Sequence, residues 1–164
     1  MRPPPGLACF NLRPGEVHLV RRAAILQTIL GSCVGVTFWS ERLGAGALSH
    51  GVLPREPAEY PPGFSASDGC YYVDFSIRYL ARQFDALGAK RDELQIKVFG
   101  GADVLDMAST SGKLSVGALN CQAASEVLAL EGLRVLASDL RGMRGRKIQF
   151  HTGTGEVLVQ RLGS

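Results

Sequence analysis

The sequence predicts a mixed α+β fold, a sheet sandwich with two main helices packed on a mixed β-sheet. Three observations point there. Short β-branched or alternating segments recur toward both ends of the chain. Two stretches between and after them read as helices. The 164 residues are 46% apolar, which suits one ordinary domain. Residues 1–13 are Pro-rich and read as a flexible lead-in, with a single domain over residues 14–164.

The elements follow in order. Gly15 to Val20 alternates polar and apolar, an edge or half-buried strand. Ala24 to Leu30 reads as a buried strand that Gly31 breaks. Val34 to Trp39 is β-branched and aromatic, hence a second buried strand. Ser40 to Gly44 supplies a turn, and Ala45 to Ser49 a third strand of small residues. Pro54 to Gly69 holds four prolines and reads as a long loop, either a lid or a solvated connection. Val73, Ile77, Leu80, Phe84 and Leu87 recur at helical spacing. Asp68 is the expected N-cap of that helix and Gly88 its stop. Leu94 to Phe99 alternates as a strand. A second helix is expected over Asn120 to Leu130, closed by Gly132. Strands follow at Leu133 to Ala137, Lys147 to His151 and Glu156 to Arg161, the last two joined at Gly153-Thr154-Gly155.

The totals narrow the function classes. A net charge of +3 predicts no strong nucleic-acid or membrane binding. No run approaches the roughly 18 apolar residues of a membrane-spanning helix. The first residues carry no apolar signal region, so a cytoplasmic protein is expected. Cys9, Cys33, Cys70 and Cys121 form no C-x-x-C pair and have no histidine at zinc-finger spacing. No dinucleotide, P-loop or H-E-x-x-H motif is present. No metal or organic cofactor is expected.

The chemistry centres on Gln27-Thr28-Ile29-Leu30-Gly31-Ser32-Cys33-Val34, with His50 seventeen positions after Cys33. A cysteine at a glycine break between strands can act as a nucleophile when a histidine reaches it. Backbone N–H groups at the break are free for an oxyanion. Cys33 is the candidate nucleophile and His50 the candidate base. Ser32 lies on the opposite face if the strand stays regular. Cys9, Cys70 and Cys121 read as structural, and His18 and His151 as packing residues on strands.

Leu30-Gly31-Ser32-Cys33-Val34, followed by Gly46-Ala47-Leu48-Ser49-His50-Gly51-Val52-Leu53-Pro54, closely resembles the chemoreceptor glutamine deamidase family, CheD. Tyr72-Val73-Asp74, Val98-Phe99-Gly100-Gly101-Ala102, Val116-Gly117-Ala118-Leu119-Asn120 and the stretch from Ser138-Asp139 to Thr152-Gly153 continue it in family order. The resemblance covers roughly residues 15–162. It implies a cysteine hydrolase similar in fold to the catalytic domains of deamidating toxins. It implies hydrolysis of glutamine amides, and in some members glutamyl methyl esters, on the cytoplasmic helical domain of chemoreceptors. It also implies a second partner, a CheC-type phosphatase. Cys33 and His50 match the family's nucleophile and base.

Two positions depart from the family. A threonine six positions before the cysteine belongs to the family's site; here that position is Gln27, and the threonine is Thr28. Strand alternation puts Gln27 on the Cys33 face and turns Thr28 away unless a bulge intervenes. Either Gln27, through its amide oxygen, or Thr28, through a local kink, is expected to orient His50. Arg141 stands where the family tends to have glycine. The basic segment from Arg141 to Lys147 reads as a solvated turn or as a patch for an acidic helical surface. A binding module that engages receptor or CheC without turnover is the alternative to the enzyme.

Overall fold

The computed structural model describes residues 1–64, 66–104 and 113–163. Among these, nine strands form two mixed sheets. They are β1 (Ala8–Asn11), β2 (Val17–Val20), β3 (Ala24–Leu30), β4 (Val34–Ser40), β5 (Ala45–Ser49), β6 (Gln95–Gly100), β7 (Val135–Leu140), β8 (Arg146–His151) and β9 (Val157–Arg161). One sheet runs β1-β3-β8-β9 and the other β2-β5-β4-β6-β7. The β1–β3 and β6–β7 pairs are parallel; the rest are antiparallel. Helices α1 (Val73–Ala86) and α2 (Val116–Leu130) pack on the five-stranded sheet.

Strand alternation builds the layers. On β4, Val34, Val36 and Phe38 join Ile77, Leu80 and Phe84 of α1 and Val127 of α2 in one core. Phe38 stacks on Phe84 with ring centroids 5.6 Å apart. The other faces of the five-stranded sheet present Trp39, Leu48 and Phe99 to Leu26, Leu30, Ile148 and Phe150 of the four-stranded sheet. The architecture is therefore helices on sheet on sheet, the mixed α+β sandwich that the sequence predicts.

The departures are local. Ala8–Asn11, expected in the flexible lead-in, is a strand paired with Ala24–Gln27. Its proline run ends at Pro5, before the strand, and its partner is distant in sequence. Helix α2 starts at Val116, not Asn120. Ser115 caps it, its hydroxyl accepting from the Ala118 N–H at 3.1 Å. The N-cap of α1 is Tyr72 rather than Asp68, which lies within a preceding 3-10 turn, Ala66–Tyr71. Gly88 ends α1 as expected, with φ +85°. β7 begins at Val135 rather than Leu133. The loop expected over 54–69 includes residue 65, which lies outside the described residues. Part of it is held on α1, where Asp74 accepts from the Glu56 N–H at 2.9 Å.

The layout places the site. β3 and β4 belong to different sheets, so Gly31-Ser32-Cys33 is the crossing between them. β5 ends at Ser49, and Val34 and Gly51 exchange two backbone hydrogen bonds of 2.9 and 2.8 Å just beyond it. This continues the β4–β5 register, in which Thr37 faces Leu48. Cys33 and His50 therefore lie on one face as diagonal neighbours, with Gly35 opposite His50. Gly35 carries no side chain, and the space its Cβ would take is filled by the Leu30 side chain.

Candidate active site

Thr28, Cys33 and His50 line one open pocket of about 420 Å³, with Leu12, Arg13 and Lys147 at its wall. The pocket lies where the two sheets part at the crossing. None of the described residues of the 54–69 loop lines it.

His50 is held on all sides. Its backbone N–H donates to the Glu16 carbonyl at 3.0 Å, and its carbonyl accepts from Gly15 at 2.8 Å. The residue is 2 % exposed. Nδ1 lies 2.7 Å from Thr28 Oγ1. The Thr28 hydroxyl also lies 2.8 Å from the Leu12 carbonyl, to which it donates. A hydroxyl has one proton to give. With that proton committed to Leu12, Thr28 accepts from Nδ1–H, and the ring's free lone pair sits on Nε2. Nε2 is buried and has no hydrogen-bond partner. The lone pair of such a bare imidazole nitrogen is uncommitted and open to a proton.

Thr28, not Gln27, meets the histidine. Gln27 donates to Asn11 at 2.6 Å and accepts from Gln149 at 2.8 Å. Both ends of its amide are engaged across the four-stranded sheet. Strand parity misassigns the pair because Cys33 is not part of β3. The Gly31-Ser32 turn carries the chain to the other sheet, and the alternation of β3 does not extend across it. No bulge is needed. Leu12 was missed because it sits in a segment read as lead-in. The alternation of Phe10 and Leu12 was the available signal.

Replacing Gln27 by alanine is therefore expected to leave turnover within about threefold of the wild type and to cost about 1–2 kcal/mol of stability through its lost hydrogen bonds. Paired kinetics and urea melts check this; a large fall in kcat would place Gln27 back in the site.

Burial acts on both reactive groups. It pushes the Cys33 thiol up, while its own backbone N–H pulls the other way. It lowers the His50 pKa from 6.5 to about 4, opposed by Glu16. The resting pair is thus neutral thiol and neutral imidazole, not the ion pair of a preformed thiolate. No hydrogen bond joins Nε2 to the thiol.

The same shift makes folding pH-dependent. Between 6.5 and about 4 the unfolded chain binds a proton that the folded His50 excludes. Stability therefore rises with pH through that window and is lost on acidification. A shift of this size corresponds to roughly 3 kcal/mol. Between neutral pH and pH 4, urea unfolding should show the wild type losing most of that amount in excess of His50→Asn; equal losses would contradict it.

The remaining candidates fall elsewhere. Cys70 is buried, its thiol pushed up to about 11. Cys121 is half-buried against Gly101. Cys9, expected to be structural, is exposed on the edge strand β1. His18 stacks on Phe10 with centroids 4.3 Å apart, and His151 Nδ1 accepts from the Gly153 N–H at 3.1 Å. In the basic 141–147 segment two of the four charges meet a carboxylate, while Arg144 stays exposed and Lys147 lines the pocket. Arg146 is fully buried and paired with Asp139, Arg141 is paired with Asp103 at 2.8 Å, and Arg144 donates to the Leu162 and Gly163 carbonyls. Among the described residues, no group of three or more His, Cys, Asp or Glu could hold a metal ion.

Fold and pocket together define a mixed α+β protein with a thiol, an imidazole and an orienting hydroxyl in one cleft, the arrangement thiol hydrolases use. The family model described as CheD chemotactic sensory transduction matches residues 52–161. The chain is 40% identical over 158 residues to a probable chemoreceptor glutamine deamidase CheD 2 of Geobacter sulfurreducens, covering 96% of this chain and 92% of that one. It is 37% identical over 162 residues to a probable chemoreceptor glutamine deamidase CheD of Oleidesulfovibrio alaskensis, covering 97% and 75%. The chain belongs to the CheD family. It also shows a slight likeness, at a TM-score of 0.48 and 8% identity, to the crystal structure of Bacillus licheniformis hypothetical protein YfiH, over 75% of this chain and 49% of that one. Among the described residues no helix is long and apolar enough to cross a membrane.

Proposed function

We propose that this chain hydrolyses the side-chain amide of selected glutamines on the cytoplasmic helical domain of chemoreceptors, giving glutamate and ammonia. The observation that carries it is the bare Nε2 of His50, fixed by Thr28 in the pocket that Cys33 lines, in a member of this family. A projecting glutamine side chain can enter such a cleft, where a main-chain peptide would have to be drawn in with both its flanks.

The steps follow from the residues. His50 Nε2 takes the Cys33 proton as sulfur attacks the glutamine δ-carbonyl carbon. The C–S bond forms and the carbonyl π pair moves to oxygen, where the Cys33 N–H can receive it. Among the described residues that N–H donates to no backbone carbonyl. The oxyanion collapses, the C–N bond breaks, and the proton on Nε2 leaves with ammonia. Water, deprotonated by the same nitrogen, opens the thioester to glutamate and restores the thiol. The same attack on a glutamyl methyl ester releases methanol. A cytoplasmic setting fits the four free cysteines. Engagement of a CheC-type phosphatase is the second interaction that the family resemblance carries over.

The test is intact-mass analysis of a chemoreceptor cytoplasmic fragment incubated with the protein. A gain of about one dalton per converted glutamine, with ammonia released, supports the deamidase. Tight binding to receptor or phosphatase with no mass change would favour the binding module instead.

A further inference from the structure

The carbonyls of three successive residues at the crossing are all held from the α2 side. The Gly31 carbonyl accepts from the Ala102 N–H at 2.9 Å, and the Cys33 carbonyl from the Gly101 N–H at 2.9 Å. Between them, the Ser32 carbonyl accepts from Asn120 Nδ2 at 2.9 Å. The same Nδ2 donates to the Val52 carbonyl at 3.0 Å. Asn120 is fully buried on α2, and its Oδ1 has no partner. The helix reaches this position because Gly117 lies flat on the Gly101–Ala102 backbone, where a Cβ would come within 2.6 Å of both carbonyl oxygens.

Backbone geometry gives these bonds a consequence. The peptides here are trans, so each N–H points opposite to the carbonyl that precedes it. The rule can be seen at the next residue. The Cys33 carbonyl points to Gly101, and the Val34 N–H points the other way, to the Gly51 carbonyl. By the same rule, an amide that holds the Ser32 carbonyl turns the Cys33 N–H away from α2.

We infer that Asn120 is a positioning residue: it locks the Ser32–Cys33 peptide so that the Cys33 N–H faces the oxyanion, and ties that peptide to the strand bearing His50. It touches no reacting atom. One N–H of its Nδ2 fixes the residue before the nucleophile, the other a residue two beyond the base, so one side chain ties both halves of the site together. The inference rests on the hydrolase reading for its catalytic consequence, but not for the orientation of the peptide.

The test separates attack at a carbonyl from simple thiol reactivity. Alkylation by iodoacetamide displaces iodide at a saturated carbon and generates no oxyanion. In Asn120→Ala and in the bulkier apolar Asn120→Leu, kcat for ammonia release should fall about 100-fold. KM, the alkylation rate of Cys33 and its pH profile should stay within threefold. Equal loss in both reactions, or turnover within threefold of the wild type, overturns the inference. Should the wild type itself release no ammonia, the hydrolase reading fails, and the peptide is judged by NMR. The Ser32 carbonyl and Cys33 amide nitrogen resonances should then shift in both variants; unchanged resonances overturn the inference whatever the activity.

Discussion

Cys33→Ala is expected to abolish deamidation, with kcat/KM down by about 10⁴-fold or more, while the fold and receptor binding persist. The thiol is half-buried at the mouth of the pocket and belongs to no strand ladder. Its removal deletes a small side chain at the margin of the inter-sheet core, where Leu30 and Phe99 already close the packing. Stability should therefore change little beside the loss of activity. Cys33→Ser is the more informative companion. An alcohol is far harder to deprotonate than a thiol, and a His50 whose pKa has been lowered to about 4 is a weak base for it. Serine should rescue almost nothing. Residual activity in Cys33→Ala above about one part in a hundred would mean that another group attacks the amide, and the assignment of the nucleophile would fall.

The strands after β1 and both helices could be read from the sequence because each rests on local signals, and the structure brings Cys33 and His50 to one pocket. Apolar spacing defined α1. β-Branched runs marked β3 and β4, and Gly31 marked the break. What escaped were features set by partners far along the chain. Ala8–Asn11 is a strand only because β3 offers it an edge. Arg141 and Arg146 look like surface charges until Asp103 and Asp139 are brought beside them. The Gln27 and Thr28 ambiguity is the sharpest case. Alternation is reliable within one strand, but the crossing from one sheet to the other resets it between Leu30 and Val34. Only the sandwich shows that Thr28 and Cys33 converge. The acceptor that completes the arrangement, the Leu12 carbonyl, lies sixteen residues before Thr28 and carries no side-chain signature at all.

That carbonyl underlies the second large effect. Thr28→Val keeps the β-branched shape that suits a strand and removes only the hydroxyl. The Leu12 carbonyl then loses its donor and His50 Nδ1–H loses its acceptor. With no partner at either ring nitrogen, the proton is free to move to Nε2, the tautomer that cannot accept from Cys33. Turnover should fall on the order of 10²-fold, chiefly in kcat, since the hydroxyl is turned to the Leu12 carbonyl and His50 Nδ1. Stability should fall by about 1–3 kcal/mol from the buried polar groups left unpaired. Kinetics alone would not separate lost orientation from a loosened fold. The imidazole nitrogen resonances of His50 do: the wild type should show the proton on Nδ1, the valine variant a shift toward Nε2. Thr28→Ser retains the hydroxyl and should restore both the tautomer and most of the activity. An unchanged tautomer in Thr28→Val, or a serine variant as slow as the valine one, would mean that the threonine supports packing and that the direction of His50 is set by its backbone bonds to Gly15 and Glu16.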